Sequence, residues 1–220
     1  MGGGSVSETG PVARSPIRPP APVQVHSGWV VSALRSHAPL RLGDRSPLAK
    51  VLVRGAADGT VADRLGVPFG RTGRDEHGTL VVGSGPGEWL LVAAPEAASD
   101  VVARASADAD GEEFVSVVDL THGRALMRIS GVAAEQTLNK VCAIDLSNRV
   151  TPDGTAFRSS VARLATDVVR DDLDGQRSYL VHCERSSGQY LFDVLLDAGR
   201  EFGIEPDGFR YPEEWLCLAQ

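Results

Sequence analysis

Asp119, Thr121, His122 and Arg124 crowd into the run Val117-Val118-Asp119-Leu120-Thr121-His122-Gly123-Arg124. A carboxylate, a hydroxyl, an imidazole that titrates near neutral pH and a guanidinium are the groups from which proton carriers and anion clamps are built. The segment leaves an apolar strand, crosses a polar turn, and enters a second strand from Ala125 to Ile129 that ends at Ser130-Gly131, where a helix begins. Rigid flanking strands hold a short polar loop in place, so ligand-contacting groups often sit at such joints.

Each candidate also has a plainer reading. His122 beside Asp119 and Arg124 can carry a proton, or can hydrogen-bond the turn backbone. Asp119 can contact a ligand, or cap the turn as aspartates commonly do. Trp89, on an apolar strand, fits a core position better than a stacking platform. Tyr179 is similar, though its hydroxyl needs a partner if buried. Arg185, directly before the final helix, can hold an anion with the helix N-terminus or stand in solvent. Cys142 has no neighbouring base in sequence and reads as an inert buried thiol. His182 and Cys183 are adjacent on a strand, point to opposite faces, and cannot share a metal. Asp171, Asp172 and Asp174 read as a solvated hairpin tip, since a calcium loop needs a longer alternating pattern ending in Glu. No phosphate-binding glycine loop, nucleophile elbow or His-Glu metal motif is present in the sequence.

The elements that must position these groups alternate. Strands are predicted from Leu48 to Arg54, Thr79 to Gly83, Glu88 to Ala93 and Phe114 to Val118, with helical segments from Thr60 to Leu65 and Glu96 to Ala107. Ser84-Gly85-Pro86-Gly87 is a strong hairpin signal. That order, β-α-β-β-α-β, is the order of a ferredoxin-like unit. A second cycle follows: the strand from Ala125 to Ile129, a helix from Val132 to Val141, strands from Phe157 to Ala165, Asp167 to Arg170 and Ser178 to Cys183, and a helix from Ser187 to Phe202. Ser186 and Gln189 have capping-box spacing, Leu191, Val194, Leu195, Ala198 and Phe202 form an apolar stripe, and Gly203 ends the helix. A duplicated α+β unit is the expected architecture. Residues 1–24, rich in Gly, Ser and Pro, lack the apolar surface to offset ordering entropy and predict a disordered tail. The alternative is an ordered arm on a partner's surface.

Composition narrows the function classes. The formal charge of −7 across 220 residues argues against nucleic acid, which requires clustered Lys and Arg. Aromatics are only 5%, so the core must be built mainly from Val, Leu and Ala. Three cysteines, Cys142, Cys183 and Cys217, without paired spacing suggest neither zinc nor a disulfide framework, and point to a reducing compartment. No apolar run approaches the ~20 residues that span a bilayer, and no secretory stretch begins the chain. A cytoplasmic protein without a membrane partner is expected.

Four blocks together resemble a known family: Ser46-Pro47-Leu48; Gly85-Pro86-Gly87-Glu88-Trp89-Leu90-Leu91; Asp119 to Arg124 with Ile129-Ser130-Gly131 and Leu138 to Leu146; and Ser178-Tyr179-Leu180-Val181 with Arg185-Ser186 and the last helix. In this order they are similar to the folate-binding glycine cleavage T-protein superfamily, and most of all to the sarcosine oxidase gamma subunits. The resemblance implies an α+β fold of two ferredoxin-like halves, about 46–119 and 120–203, around a central cavity. These lie within a domain spanning 25–203, with 204–220 as a C-terminal extension. It implies alpha and beta partner subunits that carry flavin, NAD and the folate site. The complex would demethylate an N-methyl amine oxidatively and pass the one-carbon unit to tetrahydrofolate. No catalytic residue is expected in this chain. T-proteins use an aspartate in an Asn-Asp-Gly-Gly type loop, which is missing here, and a pteridine-gripping Glu where this chain has Leu180. The competing expectation is a stand-alone, aminomethyltransferase-like or small-molecule-binding protein. Its cavity would be lined from Asp119, Thr121, His122, Arg124, Trp89, Tyr179 and Arg185, with tetrahydrofolate as a possible ligand and no metal.

Overall fold

The computed structural model describes residues 11–107, 114–173 and 175–211. At its amino-terminal end β1 (Ala13–Arg14), β2 (Val23–His26) and β3 (Trp29–Ser32) form a small sheet in the order β1-β3-β2. The expected disordered tail is therefore corrected for residues 11–24. Ile17 is fully buried against the main core, and Trp29 and Val31 of β3 are buried in a second cluster. A single Ile with two core-facing β3 residues supplies the apolar anchor that the Gly- and Pro-rich composition hid. Residues 1–10 lie outside the described residues.

After β4 (Leu40–Asp44), the first unit runs through β5 (Ala49–Arg54), α1 (Thr60–Leu65), β6 (Thr72–Arg74), β7 (Leu80–Gly85), β8 (Glu88–Ala93), α2 (Ala98–Ala107) and β9 (Ser116–Asp119). Its sheet order is β6-β7-β8-β5-β9, the ferredoxin-like arrangement with one extra edge strand. Alternation decides the faces. Val51 and Val53 of β5 lie across from Leu91 and Trp89 of β8, and this layer packs on Val61 of α1 and on Val101 and Ala105 of α2. Pro86 and Gly87 make the tight turn of the β7–β8 hairpin; Gly87 has φ +66°, and a side chain there would strike the Gly55 carbonyl.

The second unit comprises β10 (Arg124–Gly131), α3 (Ala134–Asn139), β11 (Ala156–Val161), β12 (Leu164–Arg170), β13 (Ser178–Glu184), α4 (Gly188–Ala198) and β14 (Glu205–Asp207). Its sheet, β11-β12-β13-β10-β4-β14, is the same arrangement with β4 wedged between β10 and β14. The sheet thus reaches beyond the expected limits of 120 and 203: β14 pairs in parallel with β4, and Phe209 is buried in the core. The part of the 204–220 extension up to Tyr211 is structural, and the rest lies outside the described residues. Gly131, which closes the signature segment, holds φ +130°, and a Cβ there would overlap the Pro39 carbonyl where β4 runs alongside.

Two local expectations are corrected. The stretch from Phe157 to Ala165 is not one strand but a hairpin, β11–β12, turning at Ala162 and Arg163 with φ +50° and +67°. The capping box does not form: the residue before α4 is Ser187, without a side-chain cap. Gln189 instead accepts from the Arg18 N–H at 2.6 Å and donates to Asp193 Oδ1 at 2.8 Å.

Candidate functional site at the joint between the two sheets

The β9–β10 turn is held from within. Asp119 Oδ1 accepts from the Thr121 N–H at 2.7 Å, an Asx turn. The buried Thr121 hydroxyl accepts from the Lys50 N–H at 3.0 Å, tying the turn to β5. His122 is exposed and stacks on Trp29, with ring centroids 4.6 Å apart and 11° between planes. Arg185 spends its guanidinium on two carbonyls, of His122 at 3.3 Å and Arg14 at 2.7 Å, rather than on an anion at the helix. Arg124 pairs with Glu184 at 2.9 Å. Five of the seven candidate residues thus meet at one place, and every contact there braces the turn against its neighbours.

Trp89 and Tyr179 are not brought to the joint. The Trp89 ring is core on the helix side of the first sheet, its Nε1 donating to the Val67 carbonyl at 2.8 Å. Tyr179 is fully buried on the helix side of the second sheet, and its hydroxyl has no hydrogen-bond partner among the described residues. Burial pushes the Tyr179 phenol up from its ordinary value.

Of two buried groups with strongly perturbed electrostatics, Lys50 was not singled out in the sequence and His182 was weighed only as a metal ligand. Lys50 is fully buried, its Nζ donating to the Ser46 and Leu48 carbonyls at 2.7 Å each. Burial lowers its pKa to about 7, against the pull of Asp44 and Asp119. His182, also buried, is lowered by burial to about 4 and is neutral at pH 7, although Asp167 Oδ2 stands 3.5 Å from Nε2. Asp167 accepts from Arg158 Nε at 2.6 Å; Arg158 reaches Glu88 at 3.3 Å, and Glu88 holds Arg54 at 2.8 Å. This ladder joins the two sheets and ends at the buried imidazole. Below it Arg128 donates to Asp171 Oδ2 at 2.5 Å, while Arg74 of the first unit reaches the same carboxylate at 3.1 Å. Asp171 is only 8% exposed, so the solvated-tip reading is corrected for it. Asp172, bound by Arg170 through both oxygens, is likewise engaged, and Asp174 lies outside the described residues. No sequence signal marked Lys50: in the strand Ala49 to Arg54 it shares a face with Leu52 and Arg54, which reads as solvated, and only the structure shows it buried.

The lysine gives a pH-dependent stability. An unfolded lysine titrates near 10.5, the folded one near 7. Between those values the unfolded chain binds the proton more readily, so folding strengthens as pH rises through the window. Measured by urea unfolding, the difference in stability between the chain and its Lys50→Met variant is expected to shift by roughly 2–3 kcal/mol from pH 7 to 9 in favour of the lysine. A pH-independent difference would mean that the ammonium keeps its hydration.

Between the sheets the expected cavity is corrected. Leu80, Val82, Leu90 and Val92 of the first sheet pack directly on Leu126, Val169 and Leu180 of the second, closed at the side by Trp29, Val31 and Phe209. Leu180 is 1% exposed and flanked in register by Arg128 and Val169. Cys142 and Cys183 are buried free thiols, and burial raises Cys183 to about 11. Neither is poised as a nucleophile.

The family model for the GCVT N-terminal domain matches residues 64–211. This chain belongs to that family. The gamma branch read from the sequence is borne out as well. Sarcosine oxidase subunit gamma of Corynebacterium sp. (strain P-1) is 32% identical over 132 residues, covering 59% of this chain and 61% of that protein. Its counterpart in strain U-96 is 30% identical over 143 residues, covering 64% and 67%. An aminomethyltransferase of Geobacillus thermodenitrificans (strain NG80-2) is 30% identical over 129 residues, covering 59% of this chain and 34% of that protein. The chain thus spans about three-fifths of the first relative and a third of the aminomethyltransferase. Among solved structures, the heterotetrameric sarcosine oxidase from Corynebacterium sp. U-96 in complex with pyrrole 2-carboxylate matches with TM-score 0.65 and 25% identity over 77% of this chain and 89% of that one. The glycine cleavage system aminomethyltransferase T from Bartonella henselae matches with TM-score 0.64 at 17% identity, over 84% and 55%, a likeness of fold alone.

Proposed function

We propose that this chain is a non-catalytic, gamma-type subunit of a cytoplasmic sarcosine oxidase-like heterotetramer, binding alpha and beta subunits that carry flavin, NAD and the redox step. The complex would demethylate an N-methyl amine oxidatively and hand the one-carbon unit to tetrahydrofolate on a partner. The observation that carries this reading is the filled space between the sheets. A pterin needs a hydrogen-bond acceptor in a hollow; this chain offers Leu180 inside a packed apolar layer. Tetrahydrofolate does not fit the residues present there, and no step is assigned to it on this chain. The ion-paired ladder and the braced β9–β10 turn fix the two units against each other, as a rigid docking partner requires. On the amino-terminal sheet, Val23 and Val25 of the edge strand β2 are more than half exposed, an apolar surface suited to an obligate partner. Among the described residues no helix is long and apolar enough to cross a membrane.

Sizing chromatography of the chain alone and after co-expression with candidate alpha and beta subunits tests the reading. Co-elution at a heterotetrameric mass is expected. A stable monomer that binds tetrahydrofolate at micromolar concentration would replace it with the stand-alone reading. In the assembled complex His122→Ala is expected to leave turnover unchanged and to cost less than about 1.5 kcal/mol in stability, the scale of one ring stack. A tenfold loss of turnover would return His122 to the chemistry.

A further inference from the structure

A sheet packed on one side commonly shows polar residues on the other; the amino-terminal sheet does not. Arg14 lies opposite Val30 and Val30 opposite Val25, so these three form a row across β1, β3 and β2. Alternation adds Val12 and Val23 to the same outer face, while Ala13, Trp29 and Val31 turn onto the core. Val12, Val23 and Val25 are three of the nine large apolar side chains that stand exposed among the described residues. Beside the row opens a cleft of about 420 Å³ between β1 and the start of α4, walled by Pro16, Pro19, Val30 and Gln189. Arg14 and Arg18 line it, and no acidic side chain does. Both arginines are exposed, and neither guanidinium has a hydrogen-bond or ion-pair partner among the described residues. The Gln189 amide is already engaged, by the Arg18 N–H and by Asp193.

We propose that this face docks a neighbouring subunit of the assembly, which lays aliphatic side chains on the valine row and a carboxylate between Arg14 and Arg18. The inference rests on the subunit reading above and gives that reading a contact surface and a partner chemistry. Contiguous apolar patches rimmed by polar groups mark protein interfaces. A guanidinium selects a carboxylate by its planar fork as well as by its charge. The occupant is a different chain and not a second copy. In a two-fold pair each patch meets itself, and this face has no carboxylate to offer: its described members are Val12, Arg14, Val23, Val25, Val30 and Ser32. Such a pairing would bury guanidiniums without counter-charges. On a chain of net charge −7 the two arginines form a basic spot, which steers an acidic partner here and away from the rest of the surface.

Competition inside the assembled complex tests this. The full-length unaltered chain and one variant are co-expressed with alpha and beta subunits, and the complex is purified on a tagged alpha subunit. Mass spectrometry gives the ratio of the two forms bound, corrected for the soluble level of each. Arg14→Glu/Arg18→Glu is expected to be under-represented at least tenfold, and the isosteric Val25→Thr at least threefold. Arg14→Lys/Arg18→Lys keeps both charges and is expected to stay within threefold of the unaltered chain. Arg200→Glu, at the exposed far end of α4, is expected to enter equally. Equal entry of the Glu variant overturns the proposal and leaves the subunit reading standing. A Lys variant as poor as the Glu variant also overturns it, because the loss then comes from folding and not from charge. A dimer of this chain alone that the Glu variant dissociates assigns the face to a second copy. If the unaltered chain itself does not enter the complex, the subunit reading falls and this surface with it.

Discussion

Replacing Leu180 with glutamate is expected to unfold the joint between the sheets rather than to endow it with a folate site. The carboxylate would enter a layer where Leu80, Val82, Leu90 and Val92 already touch Leu126 and Val169. An unpaired charge in such a place costs about 3–5 kcal/mol, a large part of the 5–15 kcal/mol that keeps a typical domain folded. Burial would raise the new group above the ordinary ~4.3 of a glutamate, so the penalty should grow as pH rises through that value and shrink in acid. Thermal unfolding at pH 7 is expected to move down by on the order of 10 °C. Calorimetry with tetrahydrofolate is expected to show no heat of binding. A variant that keeps its melting temperature and binds the pterin would mean that the sheets enclose a hollow after all.

Asp171→Ala is expected to be equally damaging for a different reason. Its carboxylate serves the 3%-exposed Arg128 and, from the other unit, Arg74. Removing it takes the carboxylate partner at 2.5 Å from a buried guanidinium, at about 3–5 kcal/mol, whereas removing both charges often restores stability. The double variant Arg128→Met/Asp171→Ala should therefore recover most of the loss in urea unfolding. The exposed pair Asp197–Arg200 is the control, since Asp197→Ala should stay within about 0.5 kcal/mol of the unaltered chain. If the double variant is no better than the single one, Asp171 acts through backbone geometry rather than through charge.

The elements most legible in the sequence were those whose pattern is local. β8 from Glu88 to Ala93 and α1 from Thr60 to Leu65 agree residue for residue, because alternation and short-range turn chemistry decide them. The β11–β12 hairpin was hidden because Ala162-Arg163 carries none of the Asn or Gly that a left-handed turn prefers; such a residue costs roughly 1–2 kcal/mol. Here the Tyr190 hydroxyl donates to the Ala162 carbonyl at 3.3 Å, and β11 and β12 pair along their full length. β4 was hidden by its setting: Leu40-Arg41-Leu42-Gly43-Asp44 becomes a central strand only when β10 and β14 arrive from far along the chain.

The candidate site divides in the same manner. Asp119, Thr121, His122 and Arg124 were found together since they are neighbours in sequence, and Arg185 joined them through β13. What the spacing could not say is which way each side chain spends its hydrogen bonds. Asp167 and His182 lie apart in sequence and meet only through the β12–β13 register, and Lys50 acts on the imidazole from the other sheet, neither of which single-residue types encode. The resemblance to the gamma branch gave the fold, and the departure at Leu180 foreshadowed the packed interior, but a filled layer is a property of two sheets and not of one position.

The position of β4 bears on how this polypeptide can be made. Leu42 has its neighbour Ile129 on one side and Pro206 on the other. During translation, at about 5–20 residues per second, that strand waits on the order of ten seconds before its last companion leaves the ribosome. Until then the outer edge of β4 presents unpaired backbone N–H and C=O groups, so a nascent chain stalled before residue 205 should be a client for chaperones.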